Sequence, residues 1–263
     1  MAKKSKNASQ RRAEEAAAAR REARRRQQRN RSLAGIAAVI AVVAVISGLL
    51  LNRNDGPKAA KSSKGGPSTT QAPKTSCPPA GGEAQRTLTF EAAPPLCIDA
   101  AKTYTADFDT TEGHIVIALD TKKTPKTTNN FVVLSRYKYY NGTNIVRIAK
   151  SIDIIQGGAP HTQTNADPGP GYNIDDEGSG FTYKEGDLAM ANTGSPNSGG
   201  AQFFLGTGPK ISNLNESGSY TNFGHIIQGL DVAQKIAALS PPGDYDGAPT
   251  KTVTIKTVTI TES

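Results

Sequence analysis

Nineteen consecutive residues without a charge, Leu33 to Leu51 (LAGIAAVIAVVAVISGLLL), decide how this chain is divided. Ser47 is the one polar side chain among them. At 1.5 Å of rise per residue the run spans about 28 Å, one hydrocarbon core. A cleaved signal peptide is the alternative, but its apolar region is shorter, about 7–15 residues, and ends at a small-residue cleavage site. Here Asn52, Arg53, Asn54 and Asp55 follow directly, with no Ala-x-Ala pattern. Twelve Lys and Arg against three Glu crowd residues 1–32. The positive-inside rule therefore leaves this tail in the cytoplasm and sends everything after Leu51 across the membrane. A single-pass cell-membrane protein is the expectation, with its folded part outside the cytoplasm.

The same tail accounts for the net charge. Its surplus of nine exceeds the +8 of the whole chain, so the other 231 residues carry one negative unit. A near-neutral folded part has no footprint for a phosphate backbone, and nucleic acid is excluded as a partner. Residues 52–84 are dominated by Lys, Ser, Thr, Gly, Pro and Ala, a composition that cannot build a core and reads as a flexible tether about 30 Å from end to end. Residues 85–102 form an extended lead-in. The two cysteines, Cys77 and Cys97, both fall on the translocated side, where disulfides persist. A bond between them is expected, closing a loop worth about 3 kcal/mol, with a pair of free thiols as the alternative.

From Thr103 to Ser263 the pattern is that of one folded domain. Tyr104, Ala106 and Phe108 alternate with polar residues, Thr110 to Gly113 turn, and Ile115, Ile117 and Leu119 alternate again, which predicts a hairpin. Thr124-Pro125 offers a cap and a first-turn proline for a helix ending near Tyr137. A second helix is predicted over Gly229–Leu239. The sequence KTVTI occurs twice, at Lys251–Ile255 and Lys256–Ile260. Its five-residue period moves the apolar positions from odd to even numbers, so a bulge or strand end is expected between the copies. Many short strands with two helices argue for a mainly β, closed antiparallel barrel with helices at its ends.

Several chemistries are excluded. His114, His161 and His225 lie far apart with no metal-ligand spacing, and no phosphate-cradle, dinucleotide or nucleophile-elbow motif is present. What remains are YNGTNIVRIAKSIDIIQGG (Tyr140–Gly158), LAMANTGSPNSGGAQFFLG (Leu188–Gly206) and YTNFG (Tyr220–Gly224). In this order the three segments resemble the strand-and-loop motifs of the cyclophilins, and the resemblance runs from about Thr103 to Ile260. KTPKTTNNFV resembles that family's first helix and GGAPHTQTNADPGPGYNIDDE its long loop.

The resemblance implies an eight-stranded antiparallel barrel capped by two helices, with a shallow outer groove for Xaa-Pro peptides and peptidyl-prolyl cis–trans isomerase activity. It assigns catalysis to Arg147, helped by Gln156. Ala191, Asn192 and Gln202 would hold the peptide, the first two through their backbones. Ile154, Phe204 and Leu214 would take the proline ring, with Tyr220 at the rim. Phe203 and Phe204 are adjacent on a strand and must point to opposite faces, so only one serves the groove. No cofactor or metal is implied, the partners are proline-containing polypeptides, and a monomer is expected. The sequence departs from the pattern at Ile145-Val146, which stands where the family often has Phe-His, and by one extra residue between Arg147 and Gln156. Asp153 replaces a groove aromatic and is placed to compete for the guanidinium. A catalytically weak or inactive proline-peptide binding module or chaperone using the same groove is the competing expectation.

Overall fold

The computed structural model describes residues 75–216, 219–243 and 246–263. The described residues belong to one compact unit within Ser68–Ser263. The basic tail and the apolar run Leu33–Leu51 lie outside the described residues. Among the described residues no helix is long and apolar enough to cross a membrane.

Strands β1 (Tyr104–Thr110) and β2 (Gly113–Leu119) form the expected hairpin, and the buried residues of each alternate along the strand. They are followed by α1 (Pro125–Arg136), β3 (Thr143–Asn144), β4 (Arg147–Ala149), β5 (Ile154–Gly157), β6 (Asp187–Met190) and β7 (Phe203–Gly206). A 3-10 helix (Pro209–Glu216), β8 (Asn222–Gln228), α2 (Leu230–Ala237) and β9 (Thr254–Glu262) complete the domain. All strands belong to one curled antiparallel sheet in the order β3-β9-β1-β2-β8-β6-β7-β5-β4. There are nine strand segments rather than the eight expected. The two at the ends of the order, β3 and β4, are separated in sequence only by Ile145 and Val146, whose amides donate to Val253 and Gln156 respectively.

The inner face of the sheet is filled from α1. Phe131 sits 5.9 Å from the ring of Phe108, 6.0 Å from Phe203 and 5.4 Å from Phe223, so one helical side chain touches three separate strands. The helix starts at Pro125 as the sequence predicts, but Thr124 makes no capping bond. The carboxylate of Glu177 does that work, accepting from the amides of Lys126 at 3.0 Å and Thr127 at 2.8 Å. A negative charge on the exposed amides and positive dipole of a helix start supplies the same stabilisation as a local cap. Helix α2 is shorter than expected. Gly229 precedes it at φ 84°, and a Cβ there would lie 2.1 Å from the carbonyl oxygen of His114.

The KTVTI repeat behaves as its period requires. Thr110 pairs with Ile255 but Asp109 pairs with Thr257, so Lys256 is the extra residue of a bulge, and Val253, Ile255 and Val258 are all buried. The tether, by contrast, ends sooner than the expected Ala84. Glu83 donates to the carbonyl of Arg136, Thr87 to that of Tyr137 and Phe90 to that of Pro170. Phe90 is 2% exposed and lies 4.9 Å from the ring of Tyr137. Cys77 and Cys97 form a disulfide, and Asn129 on α1 clasps the segment beside it, accepting from Cys97 and Ile98 and donating to Pro95. Residues 75–102 thus form a strap along the domain.

Candidate active site

Four adjacent strands, β6, β7, β5 and β4, present the site. Arg147 on β4 pairs directly with Gln156 on β5, which pairs with Phe204 on β7, and Phe204 in turn pairs with Ala189 on β6. Directly opposed residues share a face of a sheet, so the register puts this row on one side. The side is fixed by the neighbouring phenylalanine. Phe203 points inward, fully buried and 5.4 Å from Phe108, which sends Phe204 outward into a second apolar cluster. That cluster contains Ile154, two residues along the strand from Gln156, together with Leu214 and Tyr183. The ring of Tyr220 stands at 87° to that of Phe204, 5.2 Å away.

Arg147, Gln156, Ile154, Phe204, Leu214 and Tyr220 line an open groove of about 530 Å³ that also takes in Ala191, Asn192 and Gln202. All nine groove residues foreseen from the sequence therefore meet in one place. Polar order runs along its floor. Arg147 Nη1 donates to Gln156 Oε1 at 3.1 Å, Gln156 Nε2 to Gln202 Oε1 at 2.9 Å, and Gln202 Nε2 to the carbonyl of Asn165 at 3.2 Å. Gln156 is 8% exposed, and with both ends of its amide occupied it has one orientation to offer the arginine. The amide N–H of Ala191 is donated to the carbonyl of Gln202 at 2.9 Å. Asn192 is held by donating to the carbonyl of Ser219 and accepting from the amide of Gly194.

Asp153 does not compete for the guanidinium. It occupies the left-handed region at φ 47°, its carbonyl accepts from the amide and hydroxyl of Thr207, and its carboxylate accepts from the amide of Lys210. This turn takes up the extra residue between Arg147 and Gln156, and it directs the carboxylate toward the 3-10 helix. The carboxylate that does meet Arg147 is Asp246, whose Oδ2 accepts from Nη2 at 2.6 Å. Sequence reasoning missed it, because it comes from the distant segment between α2 and β9 and has no local signature.

One wall of the groove is the long loop after β5, contributing Asn165 and Asp167 to Pro170. Burial raises the pKa of Asp167, but hydrogen bonds from the amides of Thr162 and Gly169, the ring of His161 and the amide of His161 outweigh it, leaving the carboxyl below its usual value. The strap supports the same wall through Phe90. Behind it, burial pushes the Tyr140 phenol well above its usual range, so it stays a neutral donor to the carbonyl of Ala201.

Residues 105–260 match the family model described as cyclophilin type peptidyl-prolyl cis-trans isomerase/CLD. The chain belongs to this family. It is 34% identical over 167 residues to peptidyl-prolyl cis-trans isomerase B of Escherichia coli, covering 59% of this chain and 98% of that one. It is 39% identical over 133 residues to human peptidyl-prolyl cis-trans isomerase-like 1, covering 49% of this chain and 76% of the relative. A cyclophilin type isomerase of Cryptosporidium parvum, solved in the presence of the dipeptide Ala-Pro, superposes with a TM-score of 0.53 at 30% identity, covering 60% of this chain and 99% of that one. This cyclophilin is an isomerase acting on proline-containing polypeptides, and its sheet is the curled antiparallel sheet of that family.

Proposed function

We propose that this cyclophilin catalyses Xaa-Pro isomerisation in the groove of Arg147, as a monomeric foldase held outside the cytoplasm by Leu33–Leu51. The observation that carries the catalytic assignment is the register-fixed row Arg147, Gln156, Phe204 on the outer face of the sheet. Rotation about a prolyl bond faces a barrier of about 18–20 kcal/mol, because the nitrogen lone pair is delocalised into the carbonyl. Midway through the turn that lone pair localises on nitrogen. A cationic donor already in place binds this state better than the planar one, and it need not reorganise to do so. Ile154, Phe204 and Leu214 receive the proline ring, consistent with the Ala-Pro dipeptide present with the Cryptosporidium relative. Arg147 turns the peptide nitrogen toward its guanidinium, and Gln156 fixes that guanidinium and takes the substrate backbone. No covalent bond is made or broken, so no cofactor is required.

The inert-binder reading loses one of its grounds, since Asp153 faces away from Arg147. The test is a protease-coupled assay on Xaa-Pro peptides with wild type and Arg147→Ala. Loss of one preorganised donor is expected to lower kcat/KM about 10²- to 10³-fold. Equal activity of the two proteins refutes the assignment. Membrane placement is supported by the uncharged run and its basic flank. Protease added to intact cells is expected to release the isomerase domain, and full protection would refute the topology.

A further inference from the structure

We propose that Asp246 is a positioning residue for the isomerase, holding the second arm of the Arg147 guanidinium; the inference rests on the assignment of Arg147 above. A planar guanidinium held at one terminal nitrogen can still swing about that contact. Gln156 holds Nη1 at 3.1 Å, and Asp246 holds Nη2 at 2.6 Å. The two anchors fix the plane and leave the remaining N–H groups for a substrate nitrogen.

Asp246 is delivered by a framework rather than by a loose loop. Beside it, Gly247 and Ile148 exchange both backbone hydrogen bonds, at 2.7 and 3.1 Å, so the segment is pinned to β4 next to Arg147 itself. Earlier in the segment, Lys150, the residue just beyond β4, donates to the carbonyls of Pro241 and Gly243 at 3.1 and 3.0 Å. Strand β4 therefore carries both the catalytic arginine and the fastenings of its partner carboxylate. The opposite reading is a brake, in which the carboxylate sequesters the cation. Against it, Arg147 is only 27% exposed on its side chain, and a guanidinium this sheltered gains from a counter-charge that leaves its free N–H groups directed elsewhere. The pair is open enough to solvent that its effect is modest.

The test is a double-mutant cycle in the full-length protein, read by protease-coupled isomerisation of a proline tetrapeptide and by thermal melting. Asp246→Ala is expected to lower kcat/KM about three- to tenfold, mainly through kcat, the scale of one charge-assisted hydrogen bond discounted for exposure. Asp246→Asn, which keeps an acceptor at the same reach, should recover most of the loss. In an Arg147→Ala background, Asp246→Ala should change kcat/KM less than twofold, because its object is gone. An equal loss in both backgrounds overturns the proposal, as does a gain of activity in Asp246→Ala, the mark of a brake. If Asp246→Ala melts early, both backgrounds are assayed at a temperature where all four proteins of the cycle are folded, and the same criteria decide; an unchanged kcat/KM in Asp246→Ala also overturns the proposal. Equal activity of wild type and Arg147→Ala would overturn the assignment of Arg147 itself, an outcome separate from any result on Asp246.

Discussion

Replacing Phe90 by alanine tests whether the strap belongs to the catalytic domain or only lies on it. The ring is 2% exposed, packs at 66° against Tyr137 with centroids 4.9 Å apart, and meets Tyr172 at 6.4 Å. Truncating a buried phenylalanine costs about 3–5 kcal/mol where the cavity cannot collapse. Here the strap can settle partly into the gap, because the disulfide and the Asn129 clasp hold it a few residues on, so about 3 kcal/mol is expected. Against a typical domain stability of about 5–15 kcal/mol this is a large fraction. The loss should appear as a lower urea midpoint for the unit Ser68–Ser263 with an unchanged slope. It should also reach the groove, since the Phe90 amide holds the carbonyl of Pro170, which lies in the groove wall. If the wall binds the peptide as the proposed function has it, a several-fold rise in KM with kcat nearly constant is expected, since Arg147 is untouched. A stability change below about 1 kcal/mol, the range of surface substitutions, would refute the reasoning and make residues 75–102 a passive cover.

The Asp167 carboxyl lies below its usual value, so its contribution to the groove wall is present above the unfolded value of 3.8 and is lost as pH falls through the lower folded value. Asp167→Asn should flatten the acid limb of peptide binding below about pH 4, and an unchanged limb counts against this carboxyl as its source. Glu177→Ala removes the carboxylate at the start of α1 and is expected to cost about 1 kcal/mol in chemical denaturation, the usual value of a helix cap, with Glu177→Gln intermediate. A neutral result would mean that water caps this helix as well.

What the sequence made legible was local in origin. The β1–β2 hairpin follows from strict alternation, the start of α1 from its proline, and the bulge at Lys256 from a five-residue period meeting a two-residue one. The groove residues were legible for a different reason, because ordered motifs carry a family's register with them, and the register alone lines up Arg147, Gln156 and Phe204. The features that escaped are contacts between distant segments with no signature at either end. Glu177 caps a helix some fifty residues away in sequence, Asp246 reaches an arginine 99 residues before it, and Thr75 to Ala84 looked like tether because their composition is that of a linker. Their order comes from bonds to Arg136, Tyr137 and Lys138, which no property of the segment itself announces.

The two aspartates bear on what kind of cyclophilin this is. Asp153 replaces a groove aromatic, and seen only in sequence it counts toward a protein that has given up catalysis. Its carboxylate is instead spent on the amide of Lys210, and its left-handed backbone lets the β4–β5 turn absorb an extra residue without moving Arg147 out of register with Gln156. An inserted residue that shifted this pairing by one would have turned the arginine to the other face of the sheet and ended the site. The turn therefore protects the row, and a second carboxylate, from Asp246, is built onto the same strand that carries the arginine. A groove that only held proline peptides would need its apolar pocket but not a guanidinium fixed at both arms. That expenditure of backbone bonds on one cation is what catalysis by a preorganised donor requires.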